Sequence, residues 1–312
     1  MQYSLILFSK LTSMMLMAGI GYLLVKLRLI QEKDSKVLTV LLVYALQPFQ
    51  IFRVLQIDLT PERATGFIAA IVFATCCMLI AAIVANVFRR PLRLDSVDMA
   101  TLMYSNIGNL ILPVIAMTLG DEMTFYCSGF QIPFNLLFWT YGYVLMSGRR
   151  DIPVRKILLN PNLIAIFVGL IVLVSGLKVP AVIDAAMEGM HNMVAGTSML
   201  LVGVVVAESK LAEIFTSPRV YLISFGRLIA IPMITILALY ASGFLARYPQ
   251  YTTVLMTIMI SAAAPAASSV IQLSVLFGKD AGKAGAYNVM STLLCVFTIP
   301  FVIFVYQMVF PG

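Results

Sequence analysis

The chain is 312 residues long, with 61% hydrophobic and only 11% charged residues. Soluble domains carry about 25% charged residues, and a water-soluble chain of this size leaves about a quarter of its unfolded surface wet, so this much apolar surface could not be hidden. A soluble enzyme, a nucleic-acid-binding domain and a disordered chain are thereby excluded, and the formal charge of +7 is of the kind that gathers in the loops of membrane proteins.

What remains is an all-α polytopic membrane protein, because backbone in lipid must bond to itself. The opening Met1-Gln2-Tyr3-Ser4 lacks the basic stretch of a secretory signal, and the run after it is long enough to span. It reads as a retained first helix. Apolar stretches predict ten spans. The first five cover Leu5–Val25, Val37–Leu55, Gly66–Phe88, Met99–Leu119 and Thr124–Met146. The second five cover Pro161–Leu177, Asn192–Ala207, Val220–Ala241, Tyr251–Phe277 and Gly282–Val309. The basic stretch Ser147–Asn160 divides them as a linker, leaving one five-helix unit over 1–146 and another over 161–312.

Charge supports this count. Loops after odd-numbered spans hold fifteen Lys and Arg, among them Arg89, Arg90, Arg93, Arg149 and Arg150, whereas loops after even-numbered spans hold four. The positive-inside bias makes the odd loops cytoplasmic and puts both termini outside. The two units also resemble each other. Span four carries Pro113 and ends at Gly120-Asp121, while span nine carries Pro265 and ends at Gly278-Lys279-Asp280. Spans five and ten carry Gln131-Ile132-Pro133-Phe134 and Thr298-Ile299-Pro300-Phe301. Five is odd, so the second unit enters from the opposite side, giving an inverted-topology repeat of the kind used by secondary transporters.

Span four contains Ser105-Asn106-Ile107-Gly108-Asn109-Leu110-Ile111-Leu112-Pro113. Two asparagines at mid-membrane are costly unless hydrogen-bonded. Gly108 loosens the backbone and Pro113 removes a donor, which predicts an unwound stretch with Pro113 opening the second half-helix. Span nine repeats the idea in Ser261-Ala262-Ala263-Ala264-Pro265-Ala266-Ala267-Ser268-Ser269. If the two breaks cross, positive half-helix ends converge and favour an anion, with Asn106, Asn109, Ser268 and Ser269 supplying side-chain hydrogen bonds. The alternative for either span is a simple proline kink with its polar groups bonded to neighbouring carbonyls.

No acidic residue is expected at mid-membrane, Glu208 coming closest, which argues against a carboxylate-based cation antiporter. Arg227 is the one cation well inside; it reads either as counter-charge to a carboxylate or as a side chain snorkelling or bonded to helix carbonyls. Lys10 reads as snorkelling, and His191 as an interfacial polar group. Gln131, Asn135, Gln272 and Asn288 are further candidates to face the cavity, with Tyr44 and Gln47 as its wall; each reads equally as a helix-to-helix hydrogen bond. Cys76, Cys77, Cys127 and Cys295 lie in apolar runs without zinc-ligand spacing and read as small apolar residues. Neither a metal site nor a catalytic set is expected.

Taken together, Gly19-Ile20-Gly21-Tyr22, Asn106-x-Gly108-Asn109 with Pro113, and Ala264-Pro265-Ala266 with Gly278 resemble the auxin efflux carrier family. The short central loop is similar to its compact prokaryotic form, which includes malonate and malate permeases. The resemblance implies a ten-helix fold of the sodium/proton antiporter type. It implies a scaffold of helices 1, 2, 6 and 7 that forms a homodimer, a transport domain of helices 3–5 and 8–10, and an inner-membrane location. Substrate would bind beside the crossing of helices four and nine, at Pro113, Pro265, Asn106 and Asn109. The sequence expectation is a secondary transporter of small organic anions working by alternating access, without a cofactor and with sodium or proton coupling left open. The alternatives are a sodium-coupled symporter of the bile acid type and an anion channel.

Overall fold

The computed structural model describes residues 2–30, 35–148, 155, 158–208 and 211–311. Most of the basic part of the Ser147–Asn160 linker and the side chains of Lys10 and Glu208 lie outside the described residues. The described chain is helical, with a single isolated β-bridge and no strand.

The helices follow in chain order. α1 is Gln2–Lys26. α2 runs Ser35–Leu41, through a π turn at Leu42–Leu46, into Gln47–Val54. α3 is Pro61–Arg89 and α4 is Ser96–Met103. α5 opens with a π turn at Ile107–Ile111 and continues as Leu112–Ser128, interrupted at Gly120. α6 runs Gln131–Leu137, a π turn at Phe138–Gly142, then Tyr143–Ser147. α7 is Pro161–Ser175, α8 is Ala181–Glu208 and the short α9 is Leu211–Thr216. α10 runs Pro218–Phe225, a π turn at Gly226–Ala230, then Ile231–Ala241. α11 (Phe244–Arg247) precedes α12 (Thr252–Ala262), α13 (Ser268–Leu276) and α14 (Ala281–Val309).

Six helical runs among the described residues are long and apolar enough to cross a bilayer by themselves, and Thr12–Lys26 and Pro161–Ser175 are shorter apolar helices. That is fewer than ten unbroken spans: the first and sixth are represented by these shorter helices, and the ninth is divided into α12 and α13, each too short to cross alone.

Local sequence sets the boundaries. Thr60, Asp95, Asn160 and Asp280 each cap a helix, their side-chain oxygens accepting from free N–H groups of the first turn. Proline follows Thr60 and Asn160 at the first helical position. Three of the four π turns end two residues before a proline: Leu46 before Pro48, Ile111 before Pro113 and Ala230 before Pro232. The wider turn leaves room for a pyrrolidine ring that would otherwise strike a carbonyl in the preceding turn. Gly120 sits at φ 82°, which a side chain would strain, and it separates the two helical stretches of α5.

The tightest packing joins α1 to α8. A Cβ at Gly203 would lie 1.8 Å from the carbonyl oxygen of Ala18, and one at Gly21 would lie 2.2 Å from that of Leu200. Apolar side chains gain little from association within lipid, so close backbone approach is what holds such a pair. Gly203→Ala is expected to destabilise by about 1–3 kcal/mol or more through overpacking. A melting curve in detergent reads this directly, with Gly189→Ala on the same helix, where a Cβ meets nothing within 4 Å, as the unchanged control.

Candidate functional site at the paired helix breaks

The helix breaks lie between α4 and α5, at Tyr104–Asn106, and between α12 and α13, at Ala263–Ala267. Tyr104 is extended (φ −104°, ψ 123°), and Tyr104, Ser105 and Asn106 are buried. The two breaks satisfy each other. Asn106 N donates to the Pro265 carbonyl at 2.8 Å and Ala267 N donates to the Tyr104 carbonyl at 3.0 Å, forming the Ser105–Ala266 bridge. Asn288 Nδ2 donates to the Ala266 carbonyl at 2.6 Å, and Ser291 Oγ accepts from Ala266 N at 3.0 Å. Unwound backbone can persist at such depth only when it is bonded in this way.

The unwound stretch takes in Ser105 and Asn106, the start of the predicted Ser105–Pro113 segment, and not the proline. Pro113 lies within the first turn of the α-helical part of α5, beyond the π turn, and the chain unwinds seven residues earlier. The π turn absorbs the proline, so Pro113 does not open the second half-helix.

Among the readings open for Arg227, the structure selects bonding to helix carbonyls. The side chain is 2% exposed, and its guanidinium donates to the carbonyls of Ala264 (Nε, 3.1 Å), Leu102 (Nη1, 3.1 Å) and Ala262 (Nη2, 2.8 Å). These carbonyls lie at or just beyond the C-terminal ends of α4 and α12, where helix dipoles are negative and the last carbonyls lack intrahelical partners. Arg227 thus does not snorkel, and its donors are turned to backbone instead of to a cavity. Gly226 allows the approach: a Cβ there would meet Leu102 Cδ2 at 2.9 Å.

On the other side of the breaks, the N-terminal ends of α5 and α13 border a cavity of about 150 Å³. Asn106, Asn109, Ser268, Gln272 and Asn288 line it, facing Thr39, Leu42 and Ser198 from α2 and α8. Ser198 is buried and its Oγ has no hydrogen-bond partner among the described residues. Charge is therefore sorted about the breaks, with carbonyls and a guanidinium on one side and side-chain amides with helix N-termini on the other.

A chain of side-chain bonds enters this cavity. Asn162 Nδ2 donates to Gln47 Oε1 at 3.3 Å, Gln47 Nε2 donates to Asn109 Oδ1, and Asn109 Nδ2 donates to Ser268 Oγ at 2.9 Å. Gly108 lies beside it; a Cβ there would be 3.0 Å from Gln47 Nε2 and 3.4 Å from Gln131 Nε2. Gln131 is buried, and its Nε2 is unpartnered among the described residues.

The remaining sequence candidates separate. Asn135 is buried against its own helix, donating to the Gln131 carbonyl at 2.8 Å, and does not line the cavity. Ser269 is half-buried and also absent from its wall. Pro265 contributes its backbone carbonyl. Tyr44 is 66% exposed on the outer face of α2 and is not a wall residue. Pro113 lines a different cavity of about 380 Å³, with Gln50, Met117, His191 and Asn192.

Sequence reasoning missed Asp98. It is fully buried where α4 begins, and accepts from Arg219 Nη2 at 2.5 Å, Lys283 Nζ at 2.8 Å and Tyr287 Oη at 2.5 Å. Asp95, followed three residues later by an acidic residue, signals a capped helix start, but nothing in the sequence brings the partners from α10 and α14 to it. Asn162, which holds Gln47, was likewise invisible.

A protein-family model described as "Membrane transport protein" matches residues 6–154 and 151–303, which together span nearly the whole chain. No curated protein matches it.

Proposed function

From the premise that the chain belongs to the auxin efflux carrier family of membrane transporters, we propose that it is a secondary transporter of small organic anions, carboxylates above all. One observation carries the reading: Asn106, Asn109, Ser268 and Asn288 converge on a small cavity beside two half-helix N-termini. Amide N–H groups and positive dipole ends suit a desolvated carboxylate. The cavity volume of about 150 Å³ is below that of a drug-sized site, which favours short acids of the malonate or malate kind over ring-bearing, auxin-like ones.

In this reading α4 with α5 and α12 with α13 each form one span, for ten crossings in two inverted halves whose breaks meet near mid-membrane; the backbone bonds exchanged between the breaks support it. In this reading α1, α2, α7 and α8 form the scaffold and the homodimer contact, and the other spans move as a body that alternates access. The concentration of Lys and Arg in alternate loops favours both termini outside a plasma (inner) membrane. The carbonyls that a coupling sodium ion would seek at the breaks are held by Arg227, which favours transport without sodium at that place.

The test is counterflow in proteoliposomes with labelled mono- and dicarboxylates, with and without sodium and a proton gradient. Saturable counterflow is expected and conductive flux without saturation would identify a channel; sodium dependence would identify the symporter. Asn106→Ala removes a charge-assisted hydrogen bond and is expected to lower apparent affinity about tenfold or more. Normal transport by that variant would place the substrate elsewhere.

A further inference from the structure

Gln47 belongs to α2, on the group of helices read above as the scaffold, while Asn109 and Ser268 lie in the first turns of α5 and α13, just past the breaks. The bond from Gln47 Nε2 to Asn109 Oδ1 therefore joins the two groups whose relative motion transport requires. Gln47 is 5% exposed and held at its other end by Asn162, also in the scaffold group. Asn109 has both polar atoms engaged, one with Gln47 and one with Ser268. A carboxylate that bonds Asn109 on its Gln47-facing side must displace Gln47.

The carboxamide of glutamine has the planar outline of a carboxylate, with an N–H₂ where the anion has its second oxygen. Two amide donors, Gln47 Nε2 and Gln131 Nε2, lie 3.0 and 3.4 Å from the Cβ position of Gly108. The Gln131 donor has no acceptor among the described residues. A carboxylate in place of the Gln47 amide would supply that acceptor, and Asn109, turned about its terminal bond, would offer N–H to the other oxygen. Gly108 keeps the space open; a side chain there would fill it.

We propose that Gln47 is an internal competitor for the substrate carboxylate. With no substrate bound it occupies Asn109 and ties the breaks to α2. A carboxylate takes its place, bonds Asn109 and Gln131, and by doing so unties the two helix groups. The loaded carrier then moves more readily than the empty one, so exchange outpaces net flux. This inference rests on the transport reading above.

The experiment compares wild type, Gln47→Ala, Gln47→Glu and Asn162→Ala in proteoliposomes, measuring half-saturation for labelled carboxylates and the ratio of exchange to net efflux. Gln47→Ala is expected to lower half-saturation about threefold to tenfold, the loss of one competing hydrogen bond, and to bring net efflux up towards exchange. Asn162→Ala should shift both readouts in the same direction by less. Gln47→Glu supplies a tethered carboxylate and should raise half-saturation and slow exchange. Unchanged or weaker affinity in folded Gln47→Ala with an unchanged exchange ratio overturns the proposal, and should that variant not fold, the same result in Asn162→Ala together with unchanged Gln47→Glu does so. Failure of the transport reading is separate and visible in wild type, as the absence of counterflow for every carboxylate.

Discussion

Arg227→Met is expected to be among the most damaging single substitutions in the chain, costing roughly 3–5 kcal/mol of stability. The side chain is 2% exposed and each bond it donates ends on a carbonyl at or just beyond the end of α4 or α12. Methionine fills part of the volume but leaves the carbonyls of Leu102, Ala262 and Ala264 without these donors, in a place water does not reach. It also removes the positive charge that offsets two converging negative helix ends. Lysine restores the charge and can meet only part of a three-carbonyl fork, so Arg227→Lys should fall between. Thermal unfolding in detergent gives the order wild type, Lys, Met. The same proteins separate a positioning role from substrate contact: Arg227→Lys that still folds should keep the wild-type half-saturation for carboxylates. A large rise in half-saturation without loss of melting temperature would mean that the guanidinium meets the anion after all.

The helical class and the two interrupted segments were legible because they depend on local chemistry. Uninterrupted apolar runs announce helices in lipid, and asparagine, glycine and proline together announce a backbone that leaves the helix. Where within the interrupted segment the break falls was not legible, because proline signals a fault without saying how it is accommodated. Here a π turn accommodates Pro113, and the chain unwinds at Tyr104–Asn106, where Pro265 and Tyr104 exchange backbone bonds with the other break. Arg227 shows a similar limit. Its depth was plain from sequence, but the carbonyls it serves come from α4 and α12, and no spacing along the chain reveals that these two helices end together beside α10. Gln47 and Asn135 looked equivalent as polar residues in apolar runs. Their difference is one of facing: Asn135 bonds back to its own helix, and Gln47 bonds across to two others.

Asp98→Asn tests the second buried charge cluster, which ties α4 to α10 and α14. The carboxylate accepts four bonds, from Arg219 Nη2, Lys283 Nζ, Tyr287 Oη and the backbone N–H of Asp95. Asparagine keeps the shape but turns one acceptor into a donor, so an N–H₂ must face either the Arg219 guanidinium or the Tyr287 and Lys283 donors. Breaking a fully buried ion pair typically costs about 3–5 kcal/mol. Here the Lys283 and Arg219 side chains are 24% and 32% exposed, and Lys283 keeps Asp95 at 2.6 Å, so solvent and Asp95 recover part of that loss. A destabilisation of about 2–3 kcal/mol is therefore expected. Pairing Asp98→Asn with Lys283→Met should cost less than the sum of the two single changes, because removing the cation relieves the donor facing the new amide. Additive losses in that cycle, read from thermal unfolding, would show that Asp98 and Lys283 do not act together. Since the cluster joins helices on the moving side of the proposed carrier and lies outside the cavity wall, folded Asp98→Asn protein should bind carboxylate with wild-type half-saturation.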